Sequence, residues 1–323
     1  MFRSMARLTY RSFLHLLAPG DGRPPDPATA GGVHSGTHHA RPAHRISAET
    51  RSKFAGRSPA EVDDAATAAG EIYRGIGVTV GLLGALVIFL ALAPFAFEFA
   101  KEGSLKLVLS GAKLAIMLLV AGLVLLAKYR KLKDRWIETR LLAEELRYAE
   151  LQSSLADTAA TPADPAAIRR LRHEVLDVLE GPVRGQIPYN QGKVRRYHRM
   201  ETSLKRLTHW GFGISMFGAA LSLLAYCWHV NWPWLLLLTA VLPAAVAAMH
   251  GIAGFLRLSE LVTQHQAMLT VLLYLRQAVP DSDALTSQEL KVLRRIAVDL
   301  LHRLRQGDTA WTGIATHSEV TPA

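Results

Sequence analysis

Four long apolar segments dominate the pattern of hydrophobic and polar positions along the chain. Each holds 19–22 residues, of which at most two are Ser, Thr, Lys or His: Ile76–Phe97, Leu107–Ala127, Trp210–Trp228 and Trp234–Phe255. An α-helix of about 20 residues crosses a hydrocarbon core of roughly 30 Å. One buried helix of a soluble protein could reach this length, but four such segments are typical of a membrane. The sequence therefore predicts an all-α integral membrane protein with four transmembrane helices.

The short connections and the flanking charges predict the arrangement of these helices. Glu98–Lys106 joins the first two segments and His229–Pro233 joins the last two, which predicts two hairpins. Lys and Arg cluster after the second segment and before the third: Lys128, Arg130, Lys131, Lys133, Arg135 and Arg140, then Lys193, Arg195, Arg196, Arg199, Lys205 and Arg206. Because basic residues stay on the inner side, both termini and residues 128–209 are predicted to be cytoplasmic, in a multi-pass protein of the plasma or inner membrane.

Shorter periodic stretches predict cytoplasmic helices after each hairpin. Residues 129–154 carry an apolar stripe that includes Trp136 and continues the second transmembrane helix, with Arg140 and Glu144 on its wet side. Asp164 and Pro165 have the chemistry of a helix start. After the fourth segment, a stripe runs from Leu258 to Val279. Thr286 and Glu289 then form a capping box for a last helix, Leu290 to Leu304, which Gly307 ends.

These patterns divide the chain into five parts. They are a disordered basic tail (1–60), the first hairpin with its cytoplasmic helix (61–155), a helical linker (156–209), the second hairpin with its helix (210–280), and a C-terminal helix and tail (281–323). Residues 2–17 could also form a basic amphipathic helix at the membrane surface. The similarity between Leu142–Arg147 and Val271–Arg276 is slight, so the two halves are a structural echo rather than a demonstrated repeat.

Composition and motifs give no sign of an enzyme. The net charge is +10, but most of the excess lies beside the apolar segments, which disfavours nucleic acid as a partner. Cys227 stands alone and can form neither an intrachain disulfide nor a cysteine metal site. Histidines 34, 38, 39 and 44 have no nearby carboxylate, which disfavours a metal site. We expect no catalytic, cofactor or metal site.

A few residues within the apolar segments are candidates for a pore or for helix packing. Lys113 is the one charge there, about 9 Å from the outer end, and would either snorkel outward or line a pore. His250 follows Pro243, which should kink the fourth helix; the histidine could relay protons or bond a neighbouring helix. Gly77 and Gly81, four residues apart, predict a close approach of another helix, either within one chain or between copies.

The residues Trp136, Arg140, Glu144 and Arg147 carry a family resemblance. The run Arg135–Arg147 resembles the W-x-x-x-R-x-x-A-E-x-L-R stretch that follows the hairpin of SLATT-like proteins, two-transmembrane effectors of bacterial nucleotide-signalling conflict systems. Gly185–Gln191 and Arg195–His198 are similar to the segment that leads into the next hairpin in multi-span relatives. This resemblance covers about residues 70–306 and implies a pore-forming or membrane-perturbing effector controlled by a sensor. Residues 1–70 hold no recognisable sensor.

Two functional hypotheses follow. The first is a regulated membrane effector that acts in the lipid bilayer as a homo-oligomer through coiled-coil-like cytoplasmic helices, with a sensor protein supplied in trans. The second is a membrane-anchored scaffold whose helices bind a cytoplasmic partner. A secondary transporter ranks third, because few polar groups lie at mid-membrane.

Overall fold

The computed structural model describes residues 2–17, 46–96, 103–161, 164–182, 184–229, 232, 235, 237–281 and 286–317. Within these ranges every regular element is helical, as predicted. The helices are α1 (Phe2–Leu17), α2 (Ala48–Lys53), α3 (Pro59–Ala96), α4 (Gly103–Tyr129), α5 (Leu132–Arg147), α6 (Ala149–Ala160), α7 (Pro165–Glu180), α8 (Gln186–Cys227), α9 (Leu242–Leu256), α10 (Leu258–Ala278) and α11 (Ser287–His317).

Four stretches are long and apolar enough to cross a membrane: Pro59–Pro94, Leu105–Tyr129, Gln186–Cys227 and Leu238–Ala278. Their apolar parts coincide with the four apolar segments of the sequence, and we call these parts the apolar layer. In this layer α3 packs against α4 and α9, and α8 packs against α9. We call the rest of the structure the polar layer. It consists of the remaining helices and of the parts of α3 and α8 that precede their apolar segments, residues 59–75 and 186–209.

Glycines allow the close contacts of the apolar layer. A Cβ atom on Gly77 would lie 2.1 Å from the Phe255 ring, and one on Gly81 would lie 2.7 Å from Ile252. A Cβ on Gly211 of α8 would likewise lie 2.5 Å from Val246. The structure thus brings the small residues of α3 and α8 against α9 of the same chain, as expected where backbones must approach closely.

Single left-handed residues end two of the long helices. Lys131 has φ 46° between α4 and α5, and Arg257 has φ 48° between α9 and α10. The prediction that one helix runs on from the second apolar segment through residues 129–154 is therefore wrong: the chain turns at Lys131, and Tyr148 separates α5 from α6. The two breaks occur at similar places in the two halves of the chain. When Lys131 is aligned with Arg257, Leu142 corresponds to Met268, whereas the sequence comparison paired it with Val271.

The polar layer has its own core, formed by one face each of α6, α7, α10 and α11. Two predicted helix starts are present: the Asp164 carboxylate accepts from the Ala166 N–H at 2.9 Å, and Glu289 accepts from the Thr286 N–H at 2.7 Å. The predicted end of the last helix at Gly307 is wrong, since α11 continues to His317. A Cβ on Gly307 would lie 2.3 Å from Met268, so this glycine lets α10 approach and does not cap the helix.

The N-terminal residues depart from the expected disordered tail. Residues 2–17 form α1, whose Tyr10, Phe13 and Leu17 are buried with residues of α8, α9 and α10. Residues 48–53 form α2, and Phe54 beside it packs on α5. Amphipathic spacing buries α1 against the protein itself, which sequence reasoning did not anticipate. The predicted histidine-rich part of the tail, residues 34–44, lies outside the described residues.

Candidate functional site

A cavity of about 150 Å³ lies in the polar layer, where α1, α3, α5, α8, α10 and α11 meet. Its size is about ten times the ~10–15 Å³ that one water molecule needs. The charged side chains in its wall include Arg74, Arg140, Glu144, Lys193 and Asp308. We treat this cavity as the candidate functional site.

One wall is an aromatic stack around Trp136 of α5. Tyr73 of α3 stacks on it at 5.8 Å between ring centroids, and Trp311 of α11 meets it edge-on at 5.1 Å. A Cβ on Gly70 would lie 2.6 Å from the Trp136 indole nitrogen, so this glycine makes room for the ring. The Arg74 guanidinium lies over the same ring, 4.8 Å from its centroid. Trp136 therefore joins three helices and holds a cation against the cavity.

A network of ions ties α5 to its neighbours. The Asp63 carboxylate of α3 accepts from Arg140 at 2.9 Å and from Arg147 at 2.8 Å. Glu144, whose side chain is 5% exposed, pairs with Arg140 and with Arg147. Arg140 also donates to the Tyr189 hydroxyl of α8 at 3.0 Å. The expectation that Arg140 and Glu144 lie on a wet face is wrong, because α5 is covered on more than one side.

Two acids of this wall, Asp308 and Glu144, differ in their surroundings. Burial, reinforced by the nearby Glu144 carboxylate, raises the pKa of Asp308 to about 8, although Arg140 and Arg147 oppose the shift. Glu144 instead accepts from Arg147 and from the Tyr148 hydroxyl, each at 2.8 Å. We therefore treat Asp308 as protonated at neutral pH.

Two cations of the cavity lack a carboxylate partner in the described part of the chain. Arg74 donates to the Tyr10 hydroxyl at 3.3 Å, lies over the rings of Tyr10 and Trp136, and also interacts with the Tyr197 hydroxyl. The Lys193 ammonium lies 5.2 Å and 5.9 Å from the ring centroids of Tyr189 and Tyr197. Glu71, one helical turn before Arg74, is instead held by Arg11 at 2.9 Å. The cavity thus has an excess of positive charge.

The opposite wall is built from amides and a histidine. His265 Nδ1 lies 2.7 Å from the Asn190 side-chain oxygen, and Asn190 donates to the Gln186 carbonyl at 2.7 Å. Gln264 donates to the Gly307 carbonyl at 2.8 Å, while its own side-chain oxygen is buried and has no hydrogen-bond partner among the described residues.

The sequence candidates separate into two groups. Trp136, Arg140 and Glu144 line the cavity, and Arg147 supports it from behind. The others lie in the apolar layer. Lys113 is partly buried on α4, and His250 is exposed on α9. Gly77 and Gly81 contact α9. Pro243 is in the first turn of α9, directly after a π-helical turn at Leu237–Val241.

Sequence reasoning missed Arg74, Lys193, His265 and Asp308 as site residues. Lys193 belongs to a basic cluster that was explained by membrane orientation alone, and Arg74, two residues before an apolar segment, was not singled out. His265 occupied an apolar stripe, and Asp308 followed the predicted end of the last helix. A polar residue within an apolar stripe, such as His265, was the one signal that could have pointed to a buried polar site.

No group of three His, Cys, Asp or Glu side chains suited to a metal occurs in the described ranges. Comparison with protein families, curated proteins and solved structures returns no match for this chain.

Proposed function

We propose that the protein is a regulated membrane effector whose four apolar helices span the inner membrane in two hairpins and whose polar layer is the cytoplasmic receiver of a signal. One observation carries this proposal. Arg74 and Lys193 line the same cavity, and the helices that hold them, α3 and α8, each run without a break into an apolar segment. A change at the cavity would therefore act on both proposed hairpins, because α3 belongs to the first and α8 to the second.

The polar groups of the apolar layer bear on how such an effector would work. Thr79 donates to the Gly75 carbonyl at 2.7 Å, and Ser215 donates to the Gly211 carbonyl at 2.9 Å. Because these hydroxyls are satisfied within their own helices, they do not form a polar channel through one chain. Lys113 and His250 retain exposure on outer faces. These features favour an action by several copies, either as a pore or as a disturbance of the bilayer.

Topology is tested first, by cysteine labelling in a Cys227→Ser background. Ser104→Cys should react with an impermeant maleimide from outside the cell, and Ser153→Cys, on an exposed position of α6, only after permeabilisation. The reverse pattern would contradict the proposed orientation.

Effector action is tested by induced expression in a bacterial host with a membrane-potential dye, with and without the native neighbouring genes. We expect depolarisation in at least one of these settings. Lys113→Leu should change the ion preference if Lys113 lines a pore and should have no effect if Lys113 snorkels. Fully polarised cells at high membrane expression in both settings would favour the membrane-anchored scaffold.

A further inference from the structure

The cavity wall has a charge that the chain itself does not balance. Arg74 and Lys193 are partly buried, and neither forms an ion pair with a carboxylate of the described chain. Removing a charge from water is costly unless a counter-charge or dipoles replace the solvent. Aromatic faces compensate only part of this cost.

The nearby acids do not supply the missing charge. Glu71 is engaged by Arg11 at 2.9 Å, and Asp63 and Glu144 are shared between Arg140 and Arg147. Burial beside Glu144 raises the pKa of Asp308, which keeps this acid protonated at neutral pH. The Tyr197 hydroxyl is not a counter-charge at neutral pH either: against the effect of burial, Lys193 and Arg74 lower its pKa, but only to about 8. Two positive charges therefore remain at the cavity.

We propose that the cavity binds the phosphate group of a small anion, with Arg74 and Lys193 as its two charged ligands. A phosphate monoester carries about −1.5 to −2 charges near pH 7 and offers three acceptor oxygens. That charge matches the two unbalanced cations, and the planar Arg74 fork with the compact Lys193 ammonium is a usual pair for phosphate. The Tyr10 hydroxyl, which already contacts Arg74, can donate to the same group.

The cavity lies close to the apolar layer, which bears on the source of the phosphate. The phosphate could belong to a soluble metabolite or to a lipid headgroup, because Arg74 is two residues from the apolar segment that begins at Ile76.

This inference rests on the proposed function, since it names the ligand of the proposed receiver, but it is tested by binding alone. The full chain is purified in a maltoside detergent, and its unfolding temperature is measured at increasing concentrations of pyrophosphate. Sodium chloride at matched ionic strength is the control. A second arm adds short-chain phosphatidic acid, with diacylglycerol as its control. We expect a saturable stabilisation in one arm, and that arm identifies the source of the phosphate.

Variants decide whether Arg74 and Lys193 are the ligands. Lys193→Met and Arg74→Gln should each weaken the apparent affinity at least tenfold, whereas Lys193→Arg should keep most of it. Lys205→Met, on an exposed lysine of the same helix, and Arg51→Gln, on a surface pair with Glu145, should bind as the wild type does. Without any anion, Lys193→Met should unfold at the same or a higher temperature, because it removes an unbalanced charge; a purely structural lysine would lower it.

No saturable shift in either arm, or a shift retained by both Lys193→Met and Arg74→Gln, would overturn the phosphate site. Should Lys193→Met fail to fold, equal binding by Lys193→Arg and Lys193→Gln would overturn it as well. Binding without depolarisation of cells would leave the phosphate site standing and remove the effector function. Depolarisation without binding would do the reverse.

Discussion

The Ser hydroxyls of α8 in the apolar layer bond within their own helix, whereas charged side chains of the polar layer also bond from one helix to another. Ser215 and Ser222 of α8 donate to carbonyls of α8, each at 2.9 Å. Arg140 of α5 instead donates to Asp63 of α3 and to Tyr189 of α8. A hydroxyl can close a bond to the preceding turn, so it needs no partner helix. A buried guanidinium has five donors and needs several partners.

This difference indicates how each layer holds its helices together. In the apolar layer, glycines let the helix backbones approach closely, so complementary shape specifies which helices meet. In the polar layer, charges and rings specify which helices meet. Changes at Trp136 and Glu144 should therefore be the costliest, and changes at the glycines should act through volume alone.

The largest effect is expected at the aromatic wall. Trp136→Ala should lower the free energy of unfolding by about 3–5 kcal/mol, because the ring is 6% exposed and contacts both α3 and α11. Chemical denaturation in detergent measures this loss. Trp210→Ala is the control, since that ring is 71% exposed in the apolar layer and should be nearly silent in the same assay. Equal losses for the two tryptophans would remove the distinction between the layers.

Glu144→Gln should be the next in size. It leaves Arg140 and Arg147 with only Asp63 between them, and breaking a buried pair typically costs about 3 kcal/mol or more. The matched control is the following residue: Glu145 pairs with Arg51 on the surface, and Glu145→Gln should cost about 0–1 kcal/mol. The same denaturation assay compares the two. Similar costs would mean that the Glu144 network is solvated.

Gly81→Leu should destabilise the apolar layer by about 1–3 kcal/mol, because the new side chain would overlap Ile252 of α9. Gly84→Leu lies on the same helix, where an added Cβ meets no atom within 4 Å. Thermal unfolding, followed by intrinsic fluorescence, compares the stability of Gly81→Leu with that of Gly84→Leu. If Gly81→Leu were as stable as Gly84→Leu, the close contact between α3 and α9 would be contradicted.

The smallest effect concerns pH and Asp308. The pKa of this acid is raised to about 8 in the folded protein, so the folded state holds a proton that the unfolded state has released. Stability from this group is full below its unfolded pKa and is lost as pH rises towards 8, at no more than about 1.4 kcal/mol per pH unit. Asp308→Asn should remove this slope. The unfolding temperatures of the wild type and of Asp308→Asn are measured at pH 6 and at pH 8.5. Between these two pH values the wild type should lose more stability than the variant, and equal losses would refute the raised pKa of Asp308.

Much of the helical layout could be read from local pattern. Four apolar segments, the start of α7 at Asp164 and the capping box at Thr286 each depend on neighbours within a few residues, so sequence alone determined them. The close packing at Gly77 and Gly81 was also predicted as a feature, because only small residues permit it. The sequence did not show that α9 is the helix they contact.

The cavity was decided by tertiary structure alone. Arg74 and Lys193 are separated by more than a hundred residues. Lys193 had an adequate explanation as part of the basic flank before the third apolar segment, and no local pattern distinguished Arg74. Asp308 and Trp311 reach the site only because α11 passes Gly307 without ending. Whether a charge faces water or a cavity depends on which helices cover it, and α5 is covered by α3, α8 and α11 together. Which helices cover α5 depends on residues that are far apart in the sequence. Helical periodicity describes one helix at a time and therefore does not predict these contacts.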